Sequence, residues 1–285
     1  MEDIIYWIWL SILNLKPIEK IKLIEYFKEP KVIYKLSLKE LEKLTDSKEL
    51  MQKLIDKNKK KEAYKILEEA TKNKVKIITC NNPIYPKRLK QIYDYPIVLY
   101  AKGNLKLLNE KSITIVGSRN CSEYGKYVSE KFSYLLSQKN ICIVSGMAKG
   151  IDASAHKGAL LAKGKTIVVL GSGVNNIYPL ENKKLYEDIL NNNGLILSEY
   201  GVNTKPTPEK FPERNRILSG LSEKILVVEA SRKSGSIITA NQAIEQGKNV
   251  YAIPGNITSS KSSGTNELIK DGAILVSSLE DILYL

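Results

Sequence analysis

At 285 residues, 43% hydrophobic and 26% charged, the chain has the composition of an ordinary globular protein with room for one large α/β domain and a smaller companion. Its net charge of +13 falls mainly on residues 74–285, which points to a polyanionic partner, nucleic acid first among them. No apolar run reaches membrane-span length, the Glu2-Asp3 start argues against a signal peptide, and three cysteines without a CxxC pair speak against a disulfide framework or cysteine zinc site, so a cytoplasmic setting is expected.

Residues 1–72 contain no glycine and read as a small all-helical domain. Ile5, Trp9, Ile12 and Leu13 recur at helical spacing, and Leu41, Leu44 and Leu50 suggest another turn. Lys53 to Lys72 continues the pattern through Leu54, Ala63, Ile66 and Leu67. Pro17 and Pro30 mark breaks between short helices. The run Asn81-Asn-Pro-Ile-Tyr-Pro86 is turn chemistry, so residues 73–110 are expected to be a linker leading into the next domain.

From residue 111 onward, apolar β-branched runs alternate with helical stretches. Strands are predicted at Ile113–Val116, Ile141–Val144, Thr166–Leu170, Leu195–Leu197, Ile225–Val228, Asn249–Ile253 and Ala273–Val276. Amphipathic helices fit between them, for example over Tyr124–Gln138 and Ile237–Gln246. Continuously apolar strands are covered on both faces, and repeated βα units imply a doubly wound, mostly parallel sheet with right-handed crossovers over residues 111–285.

The turns leaving these strands are rich in glycine and serine. They are Gly117-Ser-Arg-Asn-Cys-Ser122, Ser145-Gly-Met-Ala-Lys-Gly150, Gly171-Ser-Gly173, Ala230-Ser-Arg-Lys-Ser-Gly-Ser236 and Pro254-Gly-Asn256. In an open parallel sheet such turns share the carboxyl edge, where ligands bind. Glycine lets the backbone approach a ligand, and helix N-termini with serine hydroxyls attract anions. Only five of the 44 basic side chains are arginines, and Arg119, Arg214, Arg216 and Arg232 lie in or beside turn-like segments. A guanidinium grips phosphate bidentately where lysine offers only a point charge, so these positions are the first candidates to read phosphate.

Several chemistries lack their signature. There is no GxxxxGK[ST] loop, no GxGxxG fingerprint and no GxSxG elbow. No paired carboxylates of the glycosidase type stand out, and the lone His156 cannot make a two-histidine metal motif. His156 is read either as a donor or base lining the site or as a helix-terminus hydrogen bond ordering the Asp152 turn. The expectation is a binding protein with no catalytic residue, metal or cofactor.

Taken in order, these motifs resemble a family. Gly117-Ser-Arg119 is followed by Ser145-Gly-Met-Ala-Lys-Gly-Ile-Asp152 with Ala155-His156, Ile177-Tyr-Pro179 and Ser198-Glu-Tyr200. Then come Phe211-Pro-Glu-Arg-Asn-Arg-Ile-Leu-Ser-Gly220, Glu229-Ala-Ser with Ser234-Gly-Ser236, and Pro254-Gly255 with Gly264-Thr-Asn266. The set is similar to the bacterial DNA-processing protein A (DprA/Smf) family over roughly residues 75–280. Residues 1–72 resemble its sterile-alpha-motif-like (SAM-like) domain more loosely. The resemblance implies an extended Rossmann-like domain and a non-enzymatic homodimer that binds single-stranded DNA and loads the recombinase RecA in natural transformation. Many relatives carry a C-terminal winged-helix-like domain, which is not expected in a chain ending at Leu285.

On that resemblance Arg119 is the leading phosphate ligand, supported by the N–H groups of Gly117 and Ser118. Ser145, Gly146 and Lys149 line the next part of the groove. Phe211 has two readings, a platform for a base or a buried anchor of its loop, and Lys210, Arg214 and Arg216 lie beside it. The two arginines are read either as ligands or as pins of that loop. Lys233, Ser234 and Ser236 complete the basic edge, with Arg232 left open. The competing functions are a nucleotide-processing enzyme of the phosphoribohydrolase type, whose Pro-Gly-Gly-x-Gly-Thr run is absent, and a sensor of small nucleotides.

Overall fold

The computed structural model describes residues 3–45, 47–56 and 58–284. Six short helices open the chain: α1 Ile4–Ile12, α2 Pro17–Phe27, α3 Pro30–Lys35, α4 Leu38–Leu44, α5 Lys48–Ile55 and α6 Asn58–Lys72. Pro17 and Pro30 each occupy the first helical position, where the missing N–H costs nothing. Ser37 and Glu40 cap α4 reciprocally, and the Ser47 hydroxyl accepts from Leu50 N at the start of α5. Ile5, Ile8, Trp9 and Leu10 are all buried, so α1 is enclosed by its neighbours instead of showing one wet face.

Residues 73–110 do more than link. They hold two strands that the hydrophobic pattern did not reveal, β1 Lys76–Thr79 and β2 Val98–Gly103. Seven more follow: β3 Ser112–Val116, β4 Cys142–Ser145, β5 Thr166–Val169, β6 Leu195–Ser198, β7 Lys224–Val227, β8 Asn249–Ala252 and β9 Ile274–Leu275. These match the seven predicted strands within a residue or two. The sheet order is β1-β2-β6-β5-β4-β3-β7-β8-β9, with β2 antiparallel to both β1 and β6 and all other pairs parallel.

The helices between strands are α7 Glu123–Gln138, α8 Ile151–Leu161, α9 Lys183–Asn191, α10 Lys210–Leu221, α11 Gly235–Glu245, α12 Ser263–Lys270 and the short α13 Glu280–Leu283. One apolar core carries Val128, Phe132 and Leu136 of α7 with Ala155 and Ala159 of α8 and Ile282 of α13. The other runs from Trp9 and Leu10 through β2 to Ile217 and Leu218 of α10 and Ala240 of α11. The N-terminal helices therefore share a core with the sheet.

The segment Phe211-Pro-Glu-Arg-Asn-Arg216, read as a loop, is the start of α10. His156 also departs from both of its expected roles. It is fully buried, and its Nδ1 lies 2.7 Å from the Thr166 hydroxyl, which itself donates to Ile143 O at 2.8 Å. Thr166 has one proton to give, so His156 Nδ1 carries the hydrogen between them. The histidine is a core residue.

Candidate nucleic-acid interface

Strand order reverses between β3 and β7, because β3 leads through α7 to β4 on one side and has β7 on the other. The loops after these two strands flank the switch point, the expected place for a ligand in such a sheet. A cavity of about 590 Å³ opens there.

The 117–122 loop forms one wall, and a buried carboxylate holds it. Ser122 N and Oγ both donate to Glu229, at 2.7 and 2.6 Å, while Ser122 Oγ accepts from Gly125 N to cap α7. A Cβ on Gly125 would sit 2.6 Å from Glu229 Oε2, so only glycine admits that carboxylate. Ser118 N–H, expected to face phosphate beside Arg119, instead donates to Glu229 O at 2.6 Å. Glu229→Ala should lower stability by about 1–3 kcal/mol, because both Ser122 donors lose their acceptor. A urea midpoint equal to that of the wild type would contradict this.

Held by its backbone, the loop leaves the Arg119 side chain uncommitted. Arg119 is exposed and makes no hydrogen bond or ion pair among the described residues. Its guanidinium carbon lies 5.2 Å from the centroid of the Phe211 ring. Tyr178 also packs near that ring, its centroid 5.5 Å away and its plane tilted by 38°. A Cβ on Gly171 would approach Phe211 to 2.8 Å, so the turn after β5 is hollowed to fit the ring. Arg119, Phe211 and Tyr178 thus make a half-exposed cluster of planar groups lining the cavity.

Helix phase sorts the residues of α10. Phe211, Arg214, Asn215 and Leu218 recur at three- and four-residue spacing and all line the cavity. Arg214 is 4% exposed and donates to Gly146 O at 2.9 Å, to Val169 O, and to Asn215 Oδ1 at 3.2 Å. Burial pulls its guanidinium down to about 10, against the raising influence of Asp152. Asp152 accepts from Gly146 N at 3.2 Å and Ala148 N at 3.4 Å, and burial pushes its carboxyl above the usual range. A Cβ on Gly146 would stand 2.6 Å from the Arg214 nitrogens. The turn after β4 is therefore wrapped round Arg214, which serves as the cavity floor.

Arg216, two residues on, points the other way. It forms a bidentate pair with Glu199, at 2.9 and 2.7 Å, and a contact with Asp94 at 3.2 Å. Saturated by two carboxylates, it lines no part of the cavity. Lys210 also turns aside, donating to Lys205 O at 2.9 Å with its Nζ 5.5 Å from the Tyr200 ring. Ser145 is buried and donates to Ile115 O at 2.6 Å.

Ser234 and Ser236 complete the far wall at the start of α11, their hydroxyls 2.7 Å apart. Lys233 is exposed beside them without lining the cavity, and Arg232 pairs with Glu267 at 2.7 Å. Gly146 and Lys149 line a side recess of about 140 Å³ that shares Arg119, Phe211, Tyr178 and Arg214 with the main cavity. Lys149 is also paired with Glu181.

The structure thus gathers Gly117, Ser118, Arg119, Phe211, Arg214, Ser234 and Ser236 round one cavity, with Gly146 and Lys149 alongside. Tyr178, Asn120, Asn215 and Thr239 join them without having been singled out as site residues. Tyr178 stood in the quoted Ile177-Tyr-Pro179 run. Asn215 would have been found by treating Phe211–Leu218 as a helix. Among the described residues no helix is long and apolar enough to cross a membrane, and no cluster of three or more His, Cys, Asp or Glu could hold a metal ion.

Comparison with known proteins places this geometry. A family described as DNA recombination-mediator protein A matches residues 76–285. The DNA processing protein DprA of Streptococcus pneumoniae is 47% identical over 199 residues, 70% of each chain. The X-ray structure of the DprA from Streptococcus pneumoniae is similar with a TM-score of 0.80 and 38% identity, over 98% of this chain and 95% of that one. DNA processing protein A from Helicobacter pylori, whose structure was described for its single-stranded DNA binding mode, is similar with a TM-score of 0.65 and 32% identity, over 73% of this chain and 94% of that one.

Proposed function

We propose that this chain, which belongs to the DNA-processing protein A (DprA/Smf) family, binds single-stranded DNA across the β3/β7 switch point. The observation that carries the reading is Arg119: an exposed, unpaired guanidinium stacked on Phe211 at the mouth of the cavity. In this reading the guanidinium grips a backbone phosphate while Phe211 and Tyr178 offer faces to bases. Stacking of this kind tolerates any base, as sequence-independent binding requires. Ser234, Ser236 and the N-terminus of α11 add neutral donors for a second phosphate.

Membership of the family supports a wider role. The protein, as a homodimer in the cytoplasm, protects incoming strands and passes them to RecA, and it does so without catalysis. One observation favours a different reading, a nucleotide-processing enzyme: Asp152 lines the cavity with its carboxyl raised by burial. That carboxylate is already engaged by two backbone N–H groups and lies beside Arg214, which suits a scaffold better than an acid that must exchange protons with substrate. Turnover of nucleoside monophosphates by the wild type, lost in Asp152→Asn, would select the enzyme.

The direct test is fluorescence anisotropy with labelled single strands over a salt series. Arg119→Ala should weaken binding roughly tenfold or more, the loss of a charge-assisted contact worth about 1.5–3 kcal/mol. It should also reduce the slope of log affinity against log salt by about 0.7, one phosphate fewer. Arg119→Lys should restore the slope but not the full affinity, because the fork is gone. Unchanged affinity and slope in Arg119→Ala would remove Arg119 from the interface.

A further inference from the structure

The outward face of α7 is not used by the fold or by the cavity. Tyr124, Tyr127, Lys131, Tyr134 and Gln138 recur at alternating three- and four-residue spacing and so form a single stripe. Tyr124 is 55% exposed and Tyr127 63% exposed, unusual for rings of this size. Lys131 Nζ sits 5.7 Å from the centre of the Tyr127 ring, and Gln138 Nε2 donates to the Tyr134 hydroxyl at 3.1 Å. No other element of the described chain covers the stripe.

Its position is what gives it meaning. The helix is capped by Ser122, the last residue of the loop that carries Arg119 and Asn120 to the cavity. Tyr124 therefore stands next along the chain from the cavity wall, and the stripe leads away from it for about 20 Å. Lys126 lies on its flank in an exposed pair with Glu123 at 2.6 Å, and the charge of Lys261, from the loop after β8, reaches Cys121 and Glu123 at the start of the helix. Between residues 123 and 165 there are seven lysines and three carboxylates, and one of those carboxylates, Asp152, is buried. Flat rings with ammonium groups beside them suit bases and phosphates.

We propose that α7 carries a second, tyrosine-lined track for single-stranded DNA, on which bases of the strand leaving the cavity stack on Tyr124 and Tyr127 while Lys126, Lys131 and Lys261 face its phosphates. This rests on the cavity being the primary site. It makes the interface longer than the cavity, so affinity depends on strand length in a way that these tyrosines control.

Oligothymidylates of about 6 and about 20 nucleotides separate the two parts, the first filling the cavity alone and the second reaching both. The double variant Tyr124→Ser/Tyr127→Ser changes only exposed side chains, so the fold should hold. It should bind the short strand like the wild type and the long strand roughly tenfold more weakly. Tyr124→Phe/Tyr127→Phe, which keeps the rings, should bind both like the wild type. Equal long-strand affinity in the serine variant and the wild type would overturn the track, and so would a change in its oligomeric mass with no change in long-strand binding. Arg119→Ala reports on the cavity separately: it should weaken both strands, and its failure to do so would sink the primary site whatever the tyrosines do.

Discussion

Arg216→Ala is expected to destabilise the fold by about 3–5 kcal/mol without touching the proposed DNA interface. Arg216 is 5% exposed and is held between Glu199 and Asp94. Removing it leaves two largely enclosed carboxylates, each 15% exposed, side by side, and an uncompensated charge with little access to water costs far more than the intact pair contributes. Lys20 of α2 lies close enough for Glu199 to act on its charge, and burial lowers that ammonium to about 8, so it is a poor substitute for a guanidinium. A loss of this size is a large part of the 5–15 kcal/mol that keeps a typical domain folded. Urea unfolding gives the stability, and anisotropy on the folded fraction gives the affinity. The midpoint should drop sharply while the salt slope of binding stays at the wild-type value. The reverse pattern, an unmoved midpoint with a flatter slope, would return Arg216 to the list of phosphate ligands.

Acid should weaken the protein through His156. Burial, with a smaller contribution from the charge of Arg214, holds its imidazole down to about 3, against about 6.5 when unfolded. The unfolded chain thus binds a proton that the folded chain refuses. Stability from this residue is fully present above pH 6.5 and falls by about 1.4 kcal/mol per unit as pH drops from 6.5 towards 3. At pH 5 the loss amounts to about 2 kcal/mol. Other groups titrate in the same range, so the readout is a difference. His156→Asn can still donate to Thr166 but cannot take up a proton. The stability gap between the wild type and this variant should shrink by about 2 kcal/mol between pH 7.5 and pH 5. A gap that does not change with pH would show that His156 does not carry the acid sensitivity.

The alternation of apolar runs and glycine-bearing turns made the seven strands of residues 111–285 legible, because strands buried on both faces must be continuously apolar. The two strands of residues 73–110 were hidden. β1 begins with an exposed lysine, and the stretch between β1 and β2 contains Pro83, Pro86 and Pro96 in place of a crossover helix, so no βα rhythm marks it. Their place in the sheet is set by antiparallel pairing of β1 with β2 and of β2 with β6, the latter a contact about a hundred residues away.

The site divides along the same line. Composition and local chemistry alone were enough to mark the carboxyl-edge turns and the few arginines, since glycine, serine and guanidinium advertise anion binding wherever they occur together. Which arginine faces the ligand was a question for the tertiary structure. Arg214 and Arg216 differ by two helical positions, about 200° of rotation, which sends one to the cavity floor and the other to Glu199 and Asp94. Ser118 N–H and Arg119 sit side by side in sequence, yet Glu229, from the turn after β7, takes the first and leaves the second exposed. The sequence by itself determined which groups could bind an anion. Only folding decided which of them were already taken, because a donor's availability depends on partners that the chain brings from a hundred residues away.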